Sequence, residues 1–400
     1  MPDMLVLTTN EGGPGRLHQY FLDLNAMELG ENNVRIQRLS IDGNNNTEAG
    51  FYVSTPADWN GENLPFDNNP ITMRVNDSSW GDAAQDQVEV YSFDVDFSDV
   101  NRTIVTQTSI PLAPFDTFPC SALDGGFACI PQRNGTGLDG VPHVIMNIPH
   151  LRNFGTHESL VFNFITDATN GDNVSGIRWV ELRRTATTDW ELYQEGTFAP
   201  DDGLHRYMGS IAMDANGNIG LGYNVSSQFD FVGLRYTGRI AADPLGVMTI
   251  NEVNVVDGIA PIRSFGRFGD YSQMSVSPDD NTFWFTGEYA GNTNQVSRTR
   301  IFSFEINQDS LDLSVTQLLS PDLDEVLTDE ENVIAEISNL GILDVESYEV
   351  GLIVDGQLSE SFVVNSTLAS GENTNITFTT PVDLSAVSYT HLTLPTILLV

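Results

Sequence analysis

Short stretches in which apolar and polar residues alternate recur along almost the whole chain, and they constrain its fold more than any other feature. Clear examples are residues 88–97, 176–183, 232–236 and 300–306, separated by turns rich in Gly, Asn and Asp. Because successive side chains of a strand point to opposite faces, this alternation is typical of half-buried β-strands. Helical periodicity is nearly absent, and only residues 25–29 predict a short helix. The sequence therefore predicts an all-β protein.

Three segments of the chain share one pattern and begin at Thr156, Arg206 and Asp270. Each starts with polar or aromatic residues, continues into a strand, turns at Asp, Asn or Gly, and usually leads into a second strand. With two less regular units before them, about five units recur with a period of roughly 50–65 residues. Units of this size are typical of four-stranded blades, whereas a sandwich would not need the repeat. We predict a partial β-propeller over residues 1–306, with the three segments as equivalent innermost strands.

The formal net charge is −38, and all 17 basic residues are arginines. The absence of lysine excludes Schiff-base and P-loop lysine chemistry. Such an acidic surface repels polyanions, so we expect neither nucleic acid nor anionic membranes as partners. No run of about 18 apolar residues exists, so no membrane insertion is predicted. Acidity of this kind is typical of proteins kept soluble in salty water, although it could equally reflect lineage composition.

Both ends of the chain look interrupted. Met1 is followed by Pro-Asp and a strand-like LVLTT stretch rather than by a signal peptide, so we expect Met1 to be an internal methionine. At the other end, VSYTHLTLPT at 387–396 resembles the translation of a transposase sequencing adapter. We therefore expect residues 387–400 to be a non-native tail.

The stretch from Ser277 to Trp284 resembles a degenerate Asp box, the turn motif of sialidase-like propellers, with Asn281 in place of the usual glycine. In that motif the aspartate caps the turn and the aromatic residue packs between blades. The resemblance therefore implies a propeller fold and carries no catalytic residue.

Residues 1–306 also resemble a family of large secreted bacterial propeller proteins of unassigned activity. The resemblance lies in stretches such as LRNFGTHESLVFNF, HRYMGSIAMDANGNIGLGY and RFGDYSQMSVSPDDNTFWFTGEYAG. It implies secretion and a propeller that continues upstream of Met1. It brings no known catalytic residues to this chain.

Residues 311–386 have a different sequence pattern, which predicts the successive strands of a β-sandwich. One strand ends in N-x-G at 339–341, and an L-A-x-G-E pattern at 368–372 precedes another. These patterns resemble the CARDB-type domain, an Ig-like module related to bacterial adhesion. The resemblance implies an Ig-like β-sandwich over 311–386 that lacks its last strand, with a boundary near 307–310.

Propellers bind ligands where the innermost strands enter the central channel. Polar or aromatic residues at those positions are His157, Glu158, Arg206, Tyr207, Asp270, Tyr271, Trp80 and Asp82. Their convergence on one face would suit glycan binding or hydrolysis, and a Tyr activated by a Glu beside an arginine cluster would be the sialidase arrangement. The alternative is that these residues cap strand ends and bond across blades.

Two oxygen-rich turns are candidate calcium sites. The first holds Asp167, Asn170 and Asp172, and the second holds Asp214, Asn216 and Asn218. The second lacks the glycine and glutamate spacing of an EF-hand. Asp and Asn more often stabilise such turns by bonding their own backbone. No other cofactor is predicted.

The two cysteines, Cys120 and Cys129, lie in a loop rich in Pro and Gly. No histidine cluster accompanies them, which argues against zinc. Together with the other extracellular signs, this spacing favours a disulfide, and two free thiols are the alternative.

Three functions stay open at this point. The favoured one is an extracellular binding or adhesion protein whose propeller face recognises a glycan or a cell-surface protein. The second is a propeller glycoside hydrolase or lyase, sialidase-like, that acts on extracellular polysaccharide. The third is a structural segment of a large surface protein. Serine hydrolase, dinucleotide-binding and P-loop motifs are missing from the sequence, and nothing in it predicts an oligomeric state.

Overall fold

The computed structural model describes residues 3–9, 11, 16–42, 53–119, 128–168, 173–263, 266–291, 297–306, 313–321, 327–339, 341, 343–354 and 357–385. The chain divides into two compact units, residues 1–306 and 307–400. Within the described ranges the helical elements are α1 (Leu24–Glu28) and two single 3-10 turns at Ser78–Trp80 and Val100–Arg102. No helix in these ranges has the length and apolar character needed to cross a bilayer.

The first unit begins with two small antiparallel sheets. Sheet 1 pairs, in this order, β1 (Met4–Thr9), β2 (Arg16–Asp23) and β3 (Ile36–Asp42). Two short strands follow, β4 (Thr55–Pro56) and β5 (Asp58–Asn60). Sheet 2 pairs β4 with β6 (Ile71–Asn76), then β7 (Gln87–Asp94), then β8 (Ile104–Pro111).

Three more sheets follow a two-stranded ribbon of β9 (Ala128–Ile130) and β10 (Leu138–Asp139). Sheet 3 pairs β11 (His150–Asn153), β12 (Glu158–Asp167), β13 (Ser175–Arg184) and β14 (Glu191–Phe198), and β5 joins the free edge of β11 in parallel. Sheet 4 pairs β15 (His205–Met213), β16 (Ile219–Ser226), β17 (Gly233–Arg239) and β18 (Ile250–Val256). Sheet 5 pairs β19 (Gln273–Val276), β20 (Thr282–Tyr289) and β21 (Arg298–Glu305).

Each of the first four sheets packs face to face on the next one along the chain. Phe21 of sheet 1 meets Phe93 of sheet 2, with ring centroids 5.0 Å apart. Separate buried apolar clusters join sheet 2 to sheet 3, sheet 3 to sheet 4, and sheet 4 to sheet 5. Successive antiparallel sheets that bury both faces in this way are the blades of a β-propeller. The predicted all-β partial propeller of about five units is confirmed, although sheets 1 and 5 have three strands among the described residues rather than four.

The two sheets at the ends of this series keep apolar side chains on their outward faces. On sheet 1, Leu7 is 48% exposed and Ile36 is 61% exposed. On sheet 5, Trp284 is 44% exposed and Ile301 is 63% exposed. These residues alternate with the buried ones that face the neighbouring sheet, so they belong to the opposite face.

Sheets 4 and 5 approach each other closely because β16 carries glycines on the face toward sheet 5. A Cβ atom on Gly222 would lie 2.4 Å from Cδ2 of Phe285, and one on Gly220 would lie 2.8 Å from Cδ1 of Phe283. The GLGY stretch therefore provides space for two aromatic rings between blades.

The predicted equivalence of the three repeated segments is wrong for one of them. Arg206 lies in β15, the first strand of sheet 4, and Asp270 lies three residues before β19, the first strand of sheet 5. Thr156 instead lies in the hairpin between β11 and β12, so its segment forms the second strand of sheet 3. The first strand, β11, is only 4 residues long, which is too short to show period-two alternation clearly.

The Asp-box-like turn caps itself as the resemblance implies. One carboxylate oxygen of Asp279 accepts hydrogen bonds from the backbone N–H groups of Asn281 and Thr282, both at 3.0 Å. The aromatic residue behaves differently, because Trp284 lies on the outward face and Phe283 is the side chain buried between sheets 4 and 5.

The second unit consists of two small sheets around one apolar core. One sheet pairs β22 (Leu313–Ser320), β23 (Ile334–Asn339) and β26 (Asn373–Thr377), and the other pairs β24 (Tyr348–Val354) with β25 (Gln357–Val364). Buried Asn339 donates to the carbonyl oxygens of Leu343 and Leu368, both at 2.9 Å, and accepts from the Gly341 N–H. The N-x-G and L-A-x-G-E patterns therefore meet in one hydrogen-bonded corner.

Candidate functional site

The first strands of sheets 3, 4 and 5 begin on the same side of the unit, which we call the leading end. The backbone N–H of Ser175, at the start of β13, donates to Nδ1 of His205, at the start of β15, at 3.2 Å. Because β13 begins where β12 ends, the hairpins that join second and third strands also lie at the leading end. The opposite side, where first strands end, is the far end.

Arg206 lies at the leading end, but it is fully buried within an ionic network. Its guanidinium pairs with Asp202 at 2.7 Å and with Glu252 at 2.8 Å. The hydroxyl of Tyr223 also donates to Glu252, at 2.8 Å. Burial alone would lower the pKa of Arg206, and the two carboxylates more than offset this and raise it. Arg206 therefore holds sheet 4 together, which differs from the predicted ligand-binding role.

Tyr207 is also fully buried, and its hydroxyl shares a hydrogen bond with Oγ of Ser226 at 3.2 Å. Burial raises the pKa of this phenol well above its usual range, so it stays protonated. A protonated, inaccessible phenol cannot be a nucleophile, so the sialidase-like role predicted for a tyrosine does not apply to Tyr207.

His157 and Glu158 lie at the far end, away from Arg206. The β12 strand is 10 residues long, so its two ends lie roughly 30 Å apart. Glu158 is fully buried, where it accepts from Nε of Arg184 at 2.6 Å and from the backbone N–H of Phe66 at 2.5 Å. The ring of His157 stacks on Phe154, with centroids 5.1 Å apart. The predicted convergence with Arg206 is wrong, because Thr156 starts a second strand rather than a first.

Asp270 and Tyr271 are at the leading end of sheet 5. The carboxylate of Asp270 forms an ion pair with Arg267. Tyr271 is 83% exposed, the largest exposed fraction among the described large apolar and aromatic side chains. It lies two residues before β19, so an exposed aromatic ring stands beside the start of a sheet.

Trp80 and Asp82 are at the leading end of sheet 2, in the hairpin between β6 and β7. Trp80 ends the 3-10 turn that Asp77 caps, and its half-buried ring meets His143 edge to face at 5.4 Å. Asp82 is exposed in the same loop. Trp80 therefore lies at the same end of the unit as Tyr271, and a shared ligand site for the two stays a prediction.

The sequence reasoning missed a group of carboxylates at the leading end of sheets 2 and 3. Partial desolvation raises the pKa of Asp116, although the residue retains contact with solvent, and the carboxylates of Asp77, Asp167 and Asp86 raise it further. Asp77 and Asp86 each accept backbone N–H groups of nearby loops. The only sequence feature that could have indicated this group is the recurrence of Asp at strand ends. Asp at such positions is also typical of ordinary turns, so the feature did not distinguish the two.

Two histidines lie beside these carboxylates. Burial lowers the pKa of His143 to about 4, against the opposing effect of Asp77. Burial and then Arg206 lower the pKa of His205 to about 4, against Asp167. Both imidazoles are therefore neutral at pH 7, so each supplies a hydrogen-bond donor and an acceptor rather than a charge.

The second candidate calcium turn uses its oxygens within the protein. Asp214 accepts from the backbone N–H groups of Asn216 and Asn218 at 2.8 and 2.9 Å, and its other oxygen accepts from the Asn218 side chain. The Asn216 side chain donates to Asn281 at 3.0 Å. Among the described residues, no group of three or more His, Cys, Asp or Glu side chains is arranged to hold a metal. The structure gives Asp214 a capping role, and calcium at this turn stays a prediction.

Two other predictions involve residues outside the described ranges. In the first candidate calcium turn only Asp167 is described, because Asn170 and Asp172 lie outside. Cys120 also lies outside, so its disulfide with Cys129 stays a prediction.

One comparison with known proteins identifies the second unit. The CARDB family model matches residues 310–396, so the predicted CARDB-type domain is confirmed. The match continues ten residues past the predicted end at Ala386, into the stretch that resembles an adapter; residues 386–400 lie outside the described ranges. No curated protein sequence matches the chain significantly.

Several solved structures resemble the chain weakly. An α-L-arabinanase from Penicillium chrysogenum complexed with arabinobiose has 10% identity and a TM-score of 0.33, over 76% of this chain and 94% of that one. A GH43 endo-arabinanase from Bacillus licheniformis has 11% identity and a TM-score of 0.30, over 78% and 99%. A protein of unknown function from Dyadobacter fermentans has 12% identity and a TM-score of 0.31, over 85% and 95%. Scores of this size carry no argument about this chain, and the blade arrangement rests on its own sheets.

Proposed function

We propose that residues 1–306 form an extracellular recognition domain whose leading end binds a glycan. The observation that carries the proposal is Tyr271, 83% exposed at the start of sheet 5. An aromatic ring held on a rigid scaffold and open to solvent presents an apolar face with a polar tip, which suits the faces and hydroxyl groups of a sugar. Phe229, 72% exposed in the β16–β17 hairpin, adds apolar surface at the same end.

The charged residues at the predicted positions are already paired within the protein, and this pairing supports binding over catalysis there. Arg206, Glu158 and Asp270 form internal ion pairs. Removing a charge from a buried pair leaves its partner without compensation, so such residues are poorly suited to exchange partners with a substrate. The CARDB domain supports an extracellular location, because domains of this type are typical of extracellular proteins.

A glycan array and a protein array, both probed with the whole chain, test this proposal. We expect glycan binding that Tyr271→Ala weakens at least tenfold. Tyr193→Ala is the matched control, since Tyr193 is a partly exposed tyrosine on the outer strand β14 and should leave binding unchanged. Binding to proteins alone, or no binding above background, would contradict the proposal.

One observation favours the glycoside hydrolase as a second candidate. Glycosidases pair a carboxylic acid of raised pKa with an ionised carboxylate across the scissile bond. Asp116, whose pKa is raised among Asp77, Asp167 and Asp86, has the electrostatic character of the acid. Release of reducing sugar from a panel of polysaccharides would support this candidate if the pH–rate profile of the unaltered chain had an alkaline limb and Asp116→Asn abolished the release. Absence of release by the unaltered chain would exclude hydrolysis of those substrates.

A further inference from the structure

Most arginines of this chain are paired with its own carboxylates, but a few exposed ones are not. Of the 17 arginines, 11 form an ion pair with a described carboxylate. Arg239 is buried and donates to oxygens of Ile240, Gln194 and Asp243. The remaining five are exposed, and they are Arg16, Arg133, Arg263, Arg298 and Arg300. These five are therefore the arginines that the chain leaves available to a ligand.

Four of the five exposed arginines lie at the leading end of sheets 4 and 5. The backbone N–H of Arg133 donates to the carbonyl oxygen of Asp230, in the β16–β17 hairpin, at 3.0 Å. Nη2 of Arg263 donates to the carbonyl oxygen of the residue that follows Arg133, also at 3.0 Å. Arg298 and Arg300 are the first and third residues of β21, which begins after the hairpin at that end of sheet 5. The available arginines are thus concentrated where the ligand-binding face is proposed.

Arg133 and Arg263 keep hydrogen-bond donors for a ligand. The guanidinium carbon of Arg133 lies over the ring of Phe231, 5.2 Å from its centroid. A guanidinium that stacks through its face still presents the N–H groups along its edge. Among the described residues, none accepts a hydrogen bond from the Arg133 guanidinium, and Arg263 uses only Nη2. Because both side chains are exposed, a ligand can reach them without displacing an internal partner.

An exposed aromatic ring lies in the hairpin that Arg133 contacts. Phe229 is 72% exposed, and its backbone N–H donates to Oγ of Ser227 at 3.0 Å. The next residue, Asp230, accepts from the same hydroxyl at 2.5 Å and is the one carboxylate of this hairpin. The cluster therefore combines two guanidinium groups with an apolar ring. This combination suits a sugar ring that carries an acidic substituent.

We propose that this cluster binds a glycan that carries carboxylate or sulfate groups, with the acidic groups against Arg133 and Arg263 and a sugar ring against Phe229. A guanidinium edge binds an oxyanion through two parallel charge-assisted hydrogen bonds, which a neutral sugar cannot match. The net charge of −38 does not prevent this, because salt near 0.15 M screens exposed charges beyond about 8 Å. The proposal rests on the glycan recognition proposed above and names the class of its ligand.

Two matched pairs of polysaccharides test the proposal by isothermal titration calorimetry on the whole chain. Polygalacturonate is compared with its neutral methyl ester, and dextran sulfate with dextran. We expect a charged member to bind at least tenfold more tightly than its neutral counterpart in about 0.05 M salt, and this advantage to shrink in about 0.5 M salt. An advantage in the first pair alone assigns the carboxylate as the recognised group, and an advantage in the second alone assigns the sulfate.

The outcomes separate this proposal from the one on which it rests. Measurable but equal affinities within both pairs would overturn the role of the acidic groups and leave glycan recognition standing. Absence of binding to these polysaccharides and to every glycan of the array would contradict both proposals. Equally tight binding of poly-L-glutamate would show that any polyanion binds, and would overturn the recognition of a sugar.

Variants locate the binding. The double variant Arg133→Gln/Arg263→Gln removes both charges, and we expect at least a tenfold loss of affinity for the charged polysaccharide with no change for a neutral glycan. Arg16→Gln is the matched control, because Arg16 is an exposed arginine on sheet 1 without an ion pair to a described carboxylate. Asp230→Asn removes a repelling charge but keeps an acceptor for Ser227, so it should tighten binding severalfold. This variant keeps the test decisive if the double variant misfolds. Unchanged affinity in the double variant or in Asp230→Asn, or an equal loss in Arg16→Gln, would overturn the assignment.

Discussion

The two faces of sheet 2 are packed differently, because polar residues join the apolar contact with sheet 1 but are absent from the buried cluster shared with sheet 3. Toward sheet 3, Met73 and Val90 are at most 2% exposed in a wholly apolar cluster that includes Phe162. Toward sheet 1, Arg74 and Glu89 form a buried ion pair beside a cavity. Hydrophobic burial stabilises the first interface without directional requirements, whereas the second needs every polar group paired. The difference indicates that the interfaces between blades are not interchangeable, because one depends on apolar burial and the other also depends on paired charges.

The largest effect should come from the apolar interface. Phe162→Ala removes a fully buried ring between sheets 2 and 3, and we expect it to lower the free energy of unfolding by about 4 kcal/mol, since the lost burial and the cavity add. Urea unfolding followed by tryptophan fluorescence measures this. Phe162→Leu is the control and should cost less than half as much. A loss below about 1 kcal/mol for the alanine variant would contradict the importance of this interface.

A smaller effect is expected from the ion pair of the polar interface. Arg74→Met leaves Glu89 buried with only its neutral donors, and we expect a loss of about 2–3 kcal/mol in the same assay. The double variant Arg74→Met/Glu89→Leu replaces both charges and should recover most of that loss. If the double variant were less stable than the single one, the pair would be a net source of stability and the comparison would fail.

The two interfaces should also differ in their response to acid. Burial alone would raise the pKa of Glu89, but Arg74 and the hydrogen bonds from Arg74, Tyr91 and Asn76 outweigh it and lower the pKa. A carboxyl with a lowered pKa stabilises the fold above its unfolded pKa of about 4.3, and this contribution is lost as pH falls through the folded value. We therefore expect the stability difference between the unaltered chain and Glu89→Gln to shrink between pH 6 and pH 3.5.

Phe162→Leu serves as the reference for the acid experiment. Its stability difference from the unaltered chain should stay constant over the same pH range, because no titrating group is changed. A difference for Glu89→Gln that stays equally constant would show that Glu89 is not held ionised by its partners.

The smallest effect should come from the rim of the cavity. Gln107 is exposed, and its amide makes one long contact, 3.5 Å to Ser109. Gln107→Ala should change the free energy of unfolding by less than about 0.5 kcal/mol, as is usual for surface positions. A loss above about 1 kcal/mol in the urea assay would mean that the rim supports the fold.

The fold was largely readable from the sequence, and the site was not. Alternation along 88–97 and 176–183 identified strands β7 and β13, and N-x-G with L-A-x-G-E identified the CARDB domain, because both signals are local. The position of Thr156 was misread because β11 is too short to show a period. The burial of Arg206 was missed because its partner Glu252 is 46 residues away, and pairing at such a distance leaves no local pattern.

The polar character of the sheet 1–sheet 2 interface was hidden for a related reason. Arg74 and Glu89 sit at alternate positions that a half-exposed strand would also fill with charged residues. Only the three-dimensional structure shows that another sheet covers these two residues. Sequence alternation therefore distinguishes the two faces of a strand. It does not show whether a given face contacts water or another part of the protein.

The uncovered faces of sheets 1 and 5 bear on how this protein behaves at high concentration. Exposed apolar surface favours association with similar surfaces. It is provided by Leu7 and Ile36 on sheet 1 and by Trp284 and Ile301 on sheet 5. A net charge of −38 keeps molecules apart by mutual repulsion and so acts as a colloidal stabiliser. Added salt shortens the range of that repulsion while the attraction between oily faces persists. Light scattering should therefore show particles that grow with ionic strength, with Ile301→Ser and Trp284→Ser reducing the growth.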